Sequence, residues 1–129
     1  MALCASHVKR AFGRDVAVEV FKDPRDFIER CRAEPPHLAG FANYVWNSNL
    51  SLRLSRFVKG LGGDIPVVWG GPNYPKRDQG AFLAARPSVD LHIDGEGEMV
   101  LAQLVGLLLS DGAAALKAGR RAGCDFLDP

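Results

Sequence analysis

Cysteine is scarce and scattered in this chain. Its 129 residues include three cysteines, Cys4, Cys31 and Cys124, which form no C-x-x-C pair and no metal-ligand spacing. An odd, dispersed set suits a reducing cytosol better than a disulfide framework, so a cytoplasmic protein with buried thiols is expected. No apolar run approaches the length of a membrane span, and no charged leader with an apolar core opens the chain. Charge of neither sign dominates. The formal net charge is +1 and no basic cluster stands out, so neither nucleic acid nor membrane is implied as a partner. No repeat, no low-complexity tract and no G-x-x-x-x-G-K-[ST] loop is present, and no Ser/His/Asp or Cys/His arrangement follows from spacing.

What remains is ordinary globular material. Apolar residues make up 47% and charged residues 24%, in a length that suits one domain. The most informative stretch is Val67-Val68-Trp69-Gly70-Gly71-Pro72-Asn73. Three β-favouring apolar residues after Pro66 predict a short strand covered on both faces. Gly70 and Gly71 follow as a turn that lets a ligand approach the main chain. In open α/β sheets ligands bind outside the carboxyl ends of the strands, which makes this turn a candidate site wall. The alternative is a plain strand-to-helix turn that needs glycine only for its shape.

The rest of the chain alternates around it. Residues 2–12 read as a helix stopped by Gly13. Residues 15–21 alternate, with Val16, Val18 and Val20 on one face, and predict a strand near an edge. Asp23-Pro24 opens a helix with inner residues Phe27, Ile28 and Cys31, ended by Pro35-Pro36. Residues 37–44 predict a small-residue buried strand, and Asn47 or Ser48 can cap the next helix. In that helix Leu50, Leu54, Phe57, Val58 and Leu61 form an apolar stripe before Gly62-Gly63. After the glycine turn come a solvated link at Lys76-Arg77-Asp78, a short helix around 78–86, a strand over Val89–Ile93 and a helix over about 97–110. That last helix turns Val100, Leu101, Leu104, Val105 and Leu108 inward. The domain is expected to span 1–112, with 113–129 as an exit segment or linker in which Arg120 and Arg121 are surface charges. The order α-β-α-β-α-β-α-β-α predicts a doubly wound parallel sheet with helices on both faces. Such a sheet normally opens on a central strand, so either four strands suffice or a first strand lies upstream.

Three loops, each after a predicted strand, carry a resemblance: Asn43-Tyr44-Val45-Trp46-Asn47, Gly70-Gly71-Pro72-Asn73, and Asp90-Leu91-His92-Ile93-Asp94-Gly95-Glu96-Gly97-Glu98. Over about residues 3–110 the chain resembles the N-terminal cobalamin-binding domain of B12-dependent radical SAM proteins. In that family the second loop reads Gly-Gly-Pro and the last ends in Gly-Glu-Gly-Glu before an apolar helix. The resemblance implies a flavodoxin-like (Rossmann-like) sheet with cobalamin at the strand ends. It implies contacts from Asn43, Tyr44, Trp46, Asn47, Ser48, Leu50, Gly70, Gly71, Pro72, Asn73, Gly95, Glu96, Gly97 and Glu98. Asn43, Asn47 and Asn73 would act as amide donors, and Tyr44 and Trp46 as flat apolar contact.

The chain lacks the C-x-x-x-C-x-x-C motif of radical SAM chemistry. A 4Fe-4S cluster and S-adenosylmethionine are therefore expected only in a partner domain, in cis or in trans. The chain would be a fragment, a truncated product or a stand-alone module, non-catalytic in isolation. An uncovered sheet edge would also permit a homodimer. The alternative is a flavodoxin-like domain without ligand that acts as an interaction or structural module. A third option reads Glu96 and Glu98 as a catalytic carboxylate pair. Residues two apart in a loop diverge, however, and carboxylates at a helix N-terminus gain about 0.3–1 kcal/mol from its dipole, which favours capping. Asp90 to Gly95 also matches D-x-H-x-x-G, whose histidine ligates cobalt in cobalamin-dependent methyltransferases and mutases. Here the motif follows the glycine pair instead of preceding it. Alternation with Leu91 and Ile93 places His92 on the sheet, so no cobalt-ligating role is expected.

Overall fold

A short buried strand needs a ladder on both edges, and Val67-Val68-Trp69-Gly70 has one. In the computed structural model β1 (Ala39–Ala42), β2 (Val67–Gly70) and β3 (Leu91–Ile93) form a parallel sheet in the order β1-β2-β3. The register sets Phe41 beside Trp69, and Trp69 beside His92. The structure describes residues 2–62, 64–95 and 97–116. The expectations for Gly63, Glu96, Arg120, Arg121, Cys124 and the segment beyond residue 116 lie outside these residues.

Helices flank the sheet, among them α1 (Ala2–Phe12), α2 (Pro24–Ala33), α3 (Ser48–Gly60), α4 (Gln79–Ala84) and α5 (Glu98–Asp111). Asp23 caps α2 by accepting the Arg25 N–H at 2.8 Å, with Pro24 at the first helical position as its fixed φ favours. Alternation along the strands divides the core in two. Ala39, Phe41, Val67 and Trp69 point to one face, where Phe27 of α2, Leu54, Phe57 and Val58 of α3, and Phe82 of α4 cover them. Val68 and Ile93 point to the other, against Leu104 of α5 and Leu116. That α3 and α4 share a face follows from two successive right-handed crossovers advancing in one direction. On the opposite face α1 packs along α5. The architecture is α/β, a parallel sheet between helical layers, compatible with a flavodoxin-like fold.

The expected strand at 15–21 does not form. Gly13–Asp15 is a 3-10 turn, and residues 16–21 run without ladder pairing among the described residues. Alternation alone cannot make a strand, because backbone groups need a neighbour to bond. The segment is held by side chains instead. Glu19 accepts from Arg30 at 3.1 Å, and Phe21 meets Phe27 edge-on at 5.6 Å. Val20 is left 51% exposed.

The inner face of α3 also differs from expectation. Leu50 is 43% exposed, while Ser51, Ser55 and Val58 are buried. Small serines fit beneath the helix because each hydroxyl finds a partner. Ser51 Oγ donates to the Ala42 carbonyl at 2.8 Å. Ser55 Oγ donates to the Ser51 carbonyl at 2.7 Å and accepts the indole N–H of fully buried Trp69 at 2.9 Å. Asn47 precedes α3 without capping it through its side chain; its Oδ1 accepts the Tyr44 N–H at 2.8 Å instead.

At the amino end of the sheet, buried Asp90 accepts from Lys59 Nζ and, at 2.8 Å, from the Val67 N–H. This ties the end of α3 to the starts of β2 and β3. Cys31 is buried and Cys4 half-buried, and burial pushes the Cys31 thiol above its usual range. No helix among the described residues is long and apolar enough to cross a membrane.

Candidate functional site

The carboxyl ends of the three strands lead into Asn43, Gly71 and Asp94. Asn43 continues the alternation of β1 on the Phe41 side, so its side chain points toward the face that carries Trp69 and His92. It is fully buried, and every polar group it has is used. Its N–H donates to the Gly70 carbonyl at 2.7 Å, and its carbonyl accepts the Asn73 N–H at 3.2 Å. Its Nδ2 donates to the Asn73 carbonyl at 2.6 Å and faces His92 Nε2 at 3.2 Å. Its Oδ1 accepts from Asn73 Nδ2 at 3.3 Å. The two asparagines form a clasp between the loops after β1 and β2.

The clasp explains Gly71. This residue has φ +138°, and a Cβ there would lie 2.6 Å from the Asn43 carbonyl oxygen. The turn therefore needs glycine because the neighbouring loop passes directly over it. Asn43, expected as an amide donor, directs its side-chain Nδ2 at the Asn73 carbonyl and His92 Nε2.

His92 completes the cluster. Its ring stacks on Tyr74 at 3.8 Å and 4°, and Phe82 meets both rings edge-on, at 6.1 Å from His92 and 5.2 Å from Tyr74. Because Asn43 Nδ2 can only donate, His92 Nε2 must accept, which puts the ring proton on Nδ1. Burial pushes the imidazole down to about 4, offset only in part by the Ile93 main chain and the Asp94 charge. His92 is thus neutral near pH 7. The Ile93 main chain lies close, yet no hydrogen bond of acceptable geometry reaches buried Nδ1 among the described residues.

Outside the clasp the surface turns apolar. Tyr44 and Trp46 stack at 4.7 Å and 11°. Val45 and Trp46 are each 81% exposed, and Leu50 on the first turn of α3 is exposed as well. Single exposed apolar residues are common, but Tyr44, Val45, Trp46 and Leu50 are all exposed within one short stretch of chain, an apolar ledge built on a stacked aromatic pair. Asn47 and Asn73 are half-buried, Pro72 is exposed, and Ser48 begins α3. Gly95 has φ +79° in the turn after β3. Gly97 precedes α5 and faces the Cys4 thiol, and Glu98 stands in the first turn of α5 as the dipole favours. Glu96 lies outside the described residues.

The structure thus brings Asn43, Gly71 and Asn73 together, with Tyr44 and Trp46 paired beside them. Two members of the cluster escaped sequence reasoning as site residues, His92 and Tyr74. The signal for them was present: His92 alternates onto the Trp69 face, and Tyr74 follows Asn73 directly. No group of three or more His, Cys, Asp or Glu side chains able to hold a metal lies among the described residues.

Two curated proteins are similar to this chain. It is 36% identical over 76 residues to the cobalamin-dependent radical SAM methyltransferase TokK of Streptomyces tokunonensis. Over a stretch of the same length it is 37% identical to the 2-(S-pantetheinyl)-carbapenam-3-carboxylate methyltransferase of Streptantibioticus cattleyicolor. Each match covers 59% of this chain and 11% of the relative, so the similarity concerns a small part of much longer proteins. No family model matches the chain. No solved structure matches it.

Proposed function

We propose that this chain is the cobalamin-binding module of a B12-dependent radical SAM type protein, non-catalytic in isolation, serving a radical SAM domain in cis or in trans. The observation that carries the proposal is the Tyr44-Val45-Trp46 ledge at the carboxyl end of a parallel sheet, where α/β folds bind ligands. Similarity to a cobalamin-dependent methyltransferase supports the same assignment.

The residues present fit such a ligand. A broad, mostly apolar ring with amide arms needs flat apolar contact and a few amide or imidazole groups around it. Tyr44, Val45, Trp46 and Leu50 would give the first. Asn47 and Asn73, both half-buried, would give the second. When bound, the cofactor would supply a cobalt centre for methyl transfer or radical chemistry; the 4Fe-4S cluster and S-adenosylmethionine would belong to the partner domain. The chain's own part is to bind and orient. The clasp fixes the loops after β1 and β2, the ledge shields one side of the ligand from water, and Gly95, Gly97 and Glu98 border the end of β3.

The other reading, a ligand-free interaction module, draws on Gly71, whose glycine the Asn43 backbone explains without any ligand. Gel filtration after incubation with hydroxocobalamin separates the two. Co-eluting colour supports the cofactor module, and colourless protein supports the interaction module.

A further inference from the structure

We propose that His92 is a positioning residue of this site, holding the loops after β1 and β2 in one arrangement by accepting the Asn43 side-chain amide through Nε2. Its role toward a ligand rests on the cobalamin assignment; its role in holding the loops does not.

The geometry leaves His92 few other parts to play. It is 8% exposed, inside β3, with Tyr74 stacked on its ring and Phe82 at its edge. A histidine among Trp69, Phe82 and Tyr74 gives up hydration that leucine or phenylalanine would not need. What it returns is an acceptor. The Asn43 amide has two protons, and the Asn73 carbonyl takes one at 2.6 Å. The other points to His92 Nε2 at 3.2 Å. Without that acceptor a fully buried N–H loses its partner. The amide can then recover a bond only by turning, which breaks its contacts to the Asn73 carbonyl and to Asn73 Nδ2. One imidazole therefore couples the end of β3 to Asn43 after β1 and to Asn73 and Tyr74 after β2. These are the three chain segments that would surround a ligand.

Three substitutions separate acceptor from shape. Gln places its amide oxygen near the position of imidazole Nε2, so His92→Gln keeps the acceptor. His92→Phe keeps the flat ring against Tyr74 and removes the acceptor. His92→Asn keeps polarity but falls short of Asn43. The first arm needs no ligand. Long-range 1H–15N correlation of the wild-type protein is expected to show the Nδ1–H tautomer of His92. The Asn43 side-chain amide protons are expected to resist solvent exchange in wild type and His92→Gln, and to exchange freely in His92→Phe and His92→Asn. In the second arm, hydroxocobalamin is expected to bind about tenfold more weakly to His92→Phe, and within about threefold of wild type to His92→Gln. An Nε2–H tautomer in the wild-type protein overturns the proposal. So does a folded His92→Phe variant that keeps both the protected Asn43 amide and wild-type affinity. Should His92→Phe fail to fold, the wild-type tautomer and the comparison of Gln with Asn still decide. Wild-type protein that binds no hydroxocobalamin refutes the cofactor assignment and the ligand role, while tautomer and exchange still decide whether His92 holds the loops.

Discussion

A side chain at Gly71 would collide with the backbone of Asn43. Its Cβ would lie 2.6 Å from the Asn43 carbonyl oxygen, in a backbone conformation of φ +138° that L-residues rarely adopt. Two loops that belong to different strands are thus packed main chain on main chain, with the Asn43–Asn73 hydrogen bonds around the point of contact.

Gly71→Ala is accordingly expected to destabilise the protein by about 1–3 kcal/mol through backbone strain alone, with more from the collision. Urea unfolding measures it. Unchanged stability together with lost hydroxocobalamin binding would mean instead that the glycine makes room for a ligand.

Stability should fall in mild acid because of His92. Burial holds its folded-state value at about 4, below the unfolded value near 6.5. Between those values the unfolded chain binds a proton that the folded chain refuses. Stability is therefore fully present above pH 6.5 and is lost as pH falls toward 4. A difference of this size corresponds to about 3 kcal/mol. His92→Gln should flatten the dependence across this window. Parallel pH profiles for the two proteins in urea unfolding would contradict it.

Lys59 and Asp90 form a partly buried ion pair at the opposite end of the sheet, with side-chain exposures of 24% and 7%. Lys59→Met leaves the buried Asp90 carboxylate with the Val67 N–H as its partner among the described residues, and should cost about 3 kcal/mol. Adding Asp90→Asn should recover part of the loss, since the uncompensated charge disappears while an acceptor for Val67 remains. Additive losses in the double variant would show that the two groups are not coupled. Hydroxocobalamin binding should stay unaffected in any folded variant of this pair.

The parallel sheet and its helices were legible because their signals are local. Val67-Val68-Trp69 is too apolar for an exposed position, Asp23-Pro24 marks a helix start, and the stripe over Leu54, Phe57 and Val58 has helical spacing. The strand expected at 15–21 failed because its alternation is local while its ladder is not; no pattern within Val16–Phe21 reports whether a neighbour stands beside it. Ser51 and Ser55 were hidden for a related reason. A serine reads as polar until the Ala42 carbonyl and the Trp69 indole are seen to satisfy it. At the candidate site, the three loops do follow the strands as expected, but their internal bonding was not legible. Asn43 reads as a free amide in sequence, and only the three-dimensional register shows its protons committed to Asn73 and His92.

Trp46 separates function from stability. It is 81% exposed and, among the described residues, stacks on Tyr44, so Trp46→Ala should change unfolding free energy by no more than about 0.5 kcal/mol. Hydroxocobalamin affinity should nevertheless drop by about tenfold, as expected for loss of a large flat contact. Trp69→Ala, by contrast, empties the core and should cost about 3–5 kcal/mol. Equal affinity of wild type and Trp46→Ala would remove the ledge from the site.

The most direct measurement is a titration of the purified chain with hydroxocobalamin, followed by gel filtration and an absorbance spectrum of the protein peak. A cobalamin-binding module predicts saturable binding at one equivalent, a coloured protein peak, and a weaker colour in Trp46→Ala. A protein peak that stays colourless at excess hydroxocobalamin, with the fold intact by circular dichroism, would contradict the assignment and leave an interaction module built on the same sheet.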